Sequence, residues 1–229
     1  MAKKKIDKVT TAEKEVGEFV SRSEQFIENN KKNITYGLLA IVVVIGGILA
    51  YNYLYLVPKN NNASVALFKG EQYFQRDSFN LALNGNGVDY DGFEAIIDQY
   101  GGTKSANLAK LYAGICYYKS GDYEAAIKHL KSFKSKEGNA SVEAIGLIGD
   151  CYVELGNVKD GITYFEKAAS ATSNEFLNPR YLKKAGQAYE SLQQYDNAIK
   201  AYTTIKEKYA ASYEASDIDK YIVSAQLKK

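Results

Sequence analysis

Apolar positions are distributed along this chain in three ways. From residue 34 to 57 they dominate an unbroken run, ITYGLLAIVVVIGGILAYNYLYLV, with 24 residues and no charge. Before it, Val16, Phe19, Val20, Ser23, Phe26 and Ile27 recur three and four residues apart, the period of one helical face. After it the same period returns in short runs punctuated by Gly, Asn and Asp, which predicts helices joined by tight turns. Only two prolines occur in 229 residues, in keeping with an all-α chain, because proline breaks helix interiors.

The uncharged run rises roughly 36 Å as a helix, enough to cross a hydrocarbon core of about 30 Å. Tyr36 sits at one end and Tyr51, Tyr53 and Tyr55 at the other, as aromatic belts do. Pro58 is expected to stop the helix. A cleaved signal peptide would want a short basic leader, a shorter apolar core and a small-x-small site. Here the leader is 33 residues long and Ala50 has Ile48 two positions before it, so an uncleaved anchor is expected. Lys31-Lys32 and the basic start argue for a cytoplasmic N-terminus and a translocated C-terminal domain. Gly46 and Ala50 have the spacing of a helix–helix contact, or simply reflect the glycine content of membrane helices.

In the leader, residues 1–33, Thr10 and Glu13 have capping-box spacing and Asn29-Asn30 should end the run. This predicts a short amphipathic helix that either lies on a membrane or partner or frays. Gly17 weakens it by about 1 kcal/mol relative to alanine.

Behind the anchor the chain repeats. Gly114, Tyr117, Gly121, Tyr123, Ala126, Leu130 and Phe133 align with Gly149, Tyr152, Gly156, Val158, Gly161, Phe165 and Ala168. Both align with Gly186, Tyr189, Gln193, Tyr195, Ala198, Tyr202 and Ile205. The leading glycines are 35 and 37 residues apart, against about 34 for the tetratricopeptide repeat, which these residues resemble. The leading glycine should let two helices of a hairpin approach, and Gly121 and Gly156 should end first helices in a left-handed conformation. Gln193 departs from that pattern. A degenerate hairpin precedes them over 58–105, with Gly70, Tyr73, Asp77, Phe79 and Ala82 and an inserted loop at Asn84–Gly92. That loop's Asn and Asp residues do not have calcium-binding spacing and read as turn formers. The organisation expected is therefore 1–33 leader, 34–57 transmembrane helix, 58–105 degenerate hairpin, 106–210 three repeats and 211–229 a capping helix with a polar outer face.

Charge narrows the function. Residues 1–33 carry eight basic and six acidic residues, and the rest of the chain carries twenty-one of each. A balanced domain has no electrostatic footprint for nucleic acid. The single histidine, His129, is expected on the solvated outer face of a second helix, leaving no triad or zinc set, and no cofactor or small-molecule substrate is expected. Cys116 and Cys151 are one repeat apart, hence on neighbouring first helices, and should be buried free thiols.

A helical solenoid offers a concave face built by first helices. Here it should comprise Leu108, Leu111, Ile115 and Tyr118, then Glu143, Asp150 and Val153, then Arg180, Lys183, Gln187 and Glu190. Such a face suits a peptide or protein segment, unless its apolar part packs on the first hairpin. The layout, with the run LALNGNG, the phrase IIDQYGGTKSANLAKLYAGICYY and the late IDKYI, is similar to the membrane-anchored ancillary subunit of the SecYEG translocon in its Bacteroidetes form. That resemblance implies a non-enzymatic, single-pass inner-membrane protein with a periplasmic repeat domain. Its implied partners are a SecY-type translocon and periplasmic chaperones. A cell-envelope scaffold, or a regulator acting through its leader, has the same layout.

Overall fold

A computed structural model describes residues 2–135, 138–171 and 173–229, with backbone alone for residues 2–23. The described residues form helices and turns only, in two compact units, Met1–Pro58 and Lys59–Lys229.

The first unit is helical from its start. Helix α1 covers Ala2–Tyr51, a π turn covers Asn52–Leu56, and α2 (Val57–Gln75) begins at its end. Three expectations are corrected. Thr10 is interior to α1 rather than its cap. Asn29-Asn30 does not end the helix, because Asn30 Nδ2 donates to the carbonyl of Phe26 at 3.0 Å, turning a potential breaker's side chain back onto the turn before it. Pro58 does not end it either. It falls in the first turn of α2, directly after a π turn closed by the Val57 N–H on Asn52 O, and that local widening of the helix accommodates the bond the proline cannot make. The side chains of Val16, Phe19, Val20 and Ser23 lie outside the described ones, while Phe26 and Ile27 are exposed. Every large apolar side chain from Leu38 to Leu54 is more than half exposed. This helix is long and apolar enough to cross a membrane.

The second unit is a series of antiparallel hairpins. After α2 come α3 (Phe79–Asn84), α4 (Phe93–Gln99), α5 (Lys104–Ser120), α6 (Tyr123–Ser132), α7 (Asn139–Glu154) and α8 (Val158–Ser170). Then follow α9 (Leu177–Ser191), α10 (Tyr195–Lys208), a 3-10 turn (Glu214–Asp217) and α11 (Ile218–Lys228). From α4 onward each helix packs chiefly on its chain neighbours, as a solenoid requires, while α3 packs mostly on α5.

One turn recurs four times. Asp122 N–H bonds Tyr117 O while Gly121 N–H bonds Tyr118 O, and the same two bonds close 152–157, 189–194 and 73–78. This arrangement needs a left-handed residue at its fifth position. Gly121 and Gly156 supply it, and Gln193 (φ 57°) and Asp77 (φ 54°) adopt it without being glycine. The first and last hairpins therefore turn as the middle ones do, at a conformational cost.

The leading glycines mark the closest helix contacts. A Cβ at Gly114 would lie 2.6 Å from Leu130 Cγ, and one at Gly149 2.7 Å from the Phe165 ring; Gly186 stands against Tyr202 in the same way. Leu130, Phe165 and Tyr202 are buried, each contributing about 1.5–3 kcal/mol by leaving water. The inserted loop is tied by one side chain: Asn86 Oδ1 accepts the N–H groups of Val88, Asp89 and Tyr90 at 3.0–3.1 Å. Lys69 holds Asp89 at 2.7 Å, and that carboxyl is pushed below its usual range by its bonds to Asn86 and Lys69. At the chain end, α11 turns Ile218 and Ala225 inward, but its outer face carries exposed Val223 and Leu227 among its polar residues.

Candidate functional site

First helices of three successive hairpins line one groove of about 540 Å³. Helix α5 contributes Leu111, Ile115, Tyr118 and Lys119; α7 contributes Ala140, Glu143, Leu147 and Asp150; α9 contributes Arg180, Tyr181 and Lys184. Residues three and four apart stand on one face of a helix, so each contributes a single stripe.

Leu111, Ile115 and Leu147 make the apolar part, with Leu111 buried and the other two half-buried. The α7–α9 wall is charged but internally balanced. Lys184 Nζ lies 2.6 Å from both oxygens of Asp150, and Arg180 Nη1 stands 3.6 Å from Glu143 Oε1. Lys184 and Asp150 are the more sheltered pair, while Arg180 and Glu143 are about half exposed and only weakly stabilising. Tyr181 fills the space a side chain at Gly146 would need, and burial pushes its phenol well above the ordinary tyrosine range. Burial, then the charges of Asp150 and Glu154, raise Tyr118 also. Both phenols thus stay protonated at neutral pH and can donate hydrogen bonds.

Six of the expected face residues line this groove: Leu111, Ile115, Tyr118, Glu143, Asp150 and Arg180. Five do not. Leu108 is half-buried between the first two cores, and Val153 packs on the second helix of its own hairpin beside Gly161. Lys183 pairs with Asp217 at 2.7 Å and stands over the Tyr221 ring at 4.4 Å. Glu190 accepts from Tyr202 Oη at 2.8 Å and Lys228 Nζ at 2.9 Å, and Gln187 is exposed. Lys119, Ala140, Leu147, Tyr181 and Lys184 complete the lining without having been expected there. Tyr181 could have been found from Gly146, since the two are 35 residues apart, one repeat.

His129 corrects the reading of a solvated residue. Its side chain is 12% exposed, it stacks on Tyr117 with ring centroids 5.2 Å apart, and its Nε2 lies 3.0 Å from Glu94 Oε1. Tyr117 Oη donates to the same oxygen at 2.7 Å. Burial is the largest influence and lowers the imidazole pKa; Glu94 opposes it, while Lys128 and Lys110 add to the lowering. A neutral ring carrying its proton on Nε2 satisfies this contact, and the cluster joins α4, α5 and α6. Cys116 and Cys151 are free and fully buried, and burial pushes both thiols up to about 12. Among the described residues no group of three His, Cys, Asp or Glu could hold a metal ion.

Residues 147–215 match the tetratricopeptide repeat family model, and residues 94–168 match the model for anaphase-promoting complex, cyclosome, subunit 3. No curated protein matches the chain. Two solved structures are similar to parts of it. A crystal structure of MamA protein has 19% identity and a TM-score of 0.47 over 72% of this chain and 91% of that one. A second crystal structure of MamA has 22% identity and a TM-score of 0.40 over 59% and 88%. The hairpins of the second unit are tetratricopeptide-like repeats, a fold suited to holding other proteins.

Proposed function

We propose that this chain is a membrane-anchored, non-enzymatic scaffold that binds protein segments in the α5–α7–α9 groove. We further propose that it serves as an accessory subunit of a Sec-type export translocon, with its repeats in the periplasm. The observation that carries the binding reading is the groove itself: an apolar strip left open beside an α7–α9 wall whose charges are already paired with one another. An extended segment would bury apolar side chains on Leu111, Ile115 and Leu147, at about 1.5–3 kcal/mol for each fully buried one. Its backbone would hydrogen-bond to the phenols and charged rim. Those charges do not converge on one point as a catalytic constellation would. The export reading is supported by the similarity of layout and of residues 60–225 to the ancillary translocon subunit. The orientation is supported by the basic leader.

The test is affinity purification from native membranes, comparing the wild-type chain with the double variant Ile115→Asp, Leu147→Asp. Recovery of SecY with the wild type, reduced at least about tenfold in the variant, is the expected result, corresponding to a loss of about 1.4 kcal/mol or more. Equal recovery with both chains would reject the groove as the binding site. Recovery of envelope-synthesis proteins in place of SecY would reject the export role and favour an envelope scaffold.

A further inference from the structure

The turns that join one hairpin to the next form a rim of the repeat unit with its own chemistry. Side chains clamp them to one another. Asn107 Nδ2 donates to Lys134 O at 2.7 Å while Lys134 N–H bonds Asn107 Oδ1 at 2.9 Å. Asn174 Nδ2 reaches Asn139 Oδ1 at 2.8 Å, and Asn178 Nδ2 reaches Tyr209 Oη at 3.2 Å. The α4–α5 turn is held likewise by Lys59, whose Nζ donates to Gly101 O at 3.0 Å. Two successive turns of this fixed rim aim an aromatic ring at solvent: Phe176 is 84% exposed and Tyr213 87%. Both rings leave apolar area in water that a surface outside the unit would cover.

Connectivity indicates what covers it. Lys59 is the first residue of the unit and is bonded into this rim, one residue after Pro58 and two after the end of the apolar run. The chain therefore enters the repeat unit at this rim. Exposed Lys104, Lys134 and Lys208 are balanced by exposed Asp98, Glu175 and Glu207, so neither charge sign dominates. Aromatic side chains favour the headgroup level of a bilayer, where a ring is partly buried and a hydroxyl stays wet. We propose that Phe176 and Tyr213 dip into the membrane interface and hold the repeat unit on its turn rim against the bilayer. The inference rests on reading residues 34–57 as a membrane span. It fixes the groove's opening relative to the lipid, and because the rim is charge-balanced the contact forms on zwitterionic lipid.

The chain contains no tryptophan, so single substitutions give unambiguous probes. The full-length variants Phe176→Trp, Tyr213→Trp, Leu227→Trp and Leu49→Trp are reconstituted in phosphatidylcholine vesicles with and without brominated acyl chains. Leu227 is as exposed as Phe176, at 84%, but lies at the opposite rim, where Lys228 bonds Glu190 at the end of α9. Fluorescence should be quenched strongly at 49 and at least about twofold more at 176 and 213 than at 227, as interfacial burial requires. Quenching at 49 with 176 and 213 no different from 227 would overturn the docking while leaving the anchor intact. An unquenched probe at 49 would overturn both. Unchanged helicity by circular dichroism confirms that each variant is folded.

Discussion

Residues 34–57 and helix α7 are the two most apolar stretches of the chain, and they end in opposite surroundings. Helix α7 turns Val142, Ala144, Ile148 and Cys151 inward, all nearly inaccessible, and its glycines admit Tyr181 and Phe165. In the 34–57 run Gly37, Gly46 and Gly47 have no atom outside their own turn within 4 Å of a Cβ position, and the large side chains project outward all round. An apolar helix whose large side chains project outward all round is suited to an apolar solvent such as a bilayer. The comparison teaches that glycine in α7 is a packing device, whereas Gly37, Gly46 and Gly47 in the 34–57 run meet no packed neighbour among the described residues.

The comparison can be broken most sharply in the anchor. Val43→Lys with Ile45→Lys should cost about 5–7 kcal/mol of insertion, moving the protein from the carbonate-resistant pellet to the supernatant. Retention in the pellet would show that lipid is not what covers this helix. The next largest contrast sets two glycines against each other. Gly149→Val should destabilise the repeat unit by about 2–4 kcal/mol, because its side chain meets the Phe165 ring, and Gly46→Val should leave its thermal midpoint unchanged. Equal midpoints for the two variants would contradict the assigned contacts. A smaller gain is expected from Gln193→Gly, about 0.5–1 kcal/mol, since it relieves a left-handed non-glycine residue against the entropy glycine adds to the unfolded chain.

The smallest effect is titratable. The buried, neutral His129 has a folded pKa below its ordinary 6.5. Its contribution is complete above that value and declines as pH falls from 6.5 through the lowered folded pKa, because the unfolded chain takes up the proton first. Urea midpoints between pH 7 and 5 should therefore fall less steeply in His129→Gln than in the wild type. Parallel slopes would remove the histidine from the pH response.

The hairpins were legible because their determinants are local and periodic: a glycine at a helix crossing, a tyrosine one turn later, a glycine in the turn. Where the same turn is made by Asp77 or Gln193, only register reveals it, since neither residue advertises a left-handed backbone. His129 departs from its expected place because its partners, Tyr117 and Glu94, lie 12 and 35 residues away, and helical phase alone cannot say what the paired helix and the preceding hairpin place over a face. The groove was half legible for the same reason. Leu111, Ile115 and Tyr118 follow from their stripe on α5, but whether Lys183 or Lys184 faces the groove depends on the rotation of α9. That rotation is set by Tyr181 lying across Gly146 on the neighbouring helix. Asn30 and Pro58 show the converse limit, because residues that usually end helices were absorbed by a back-bonded side chain and a π turn.

The central claim, that the open face of the first helices holds other proteins, is tested most directly by a photoreactive amino acid placed at Leu147 in the groove or at Thr163 on the exposed face of α8, irradiated in native membranes. Discrete protein adducts from position 147 and none from 163 are expected. Adducts of equal yield from both positions, or from 163 alone, would contradict it.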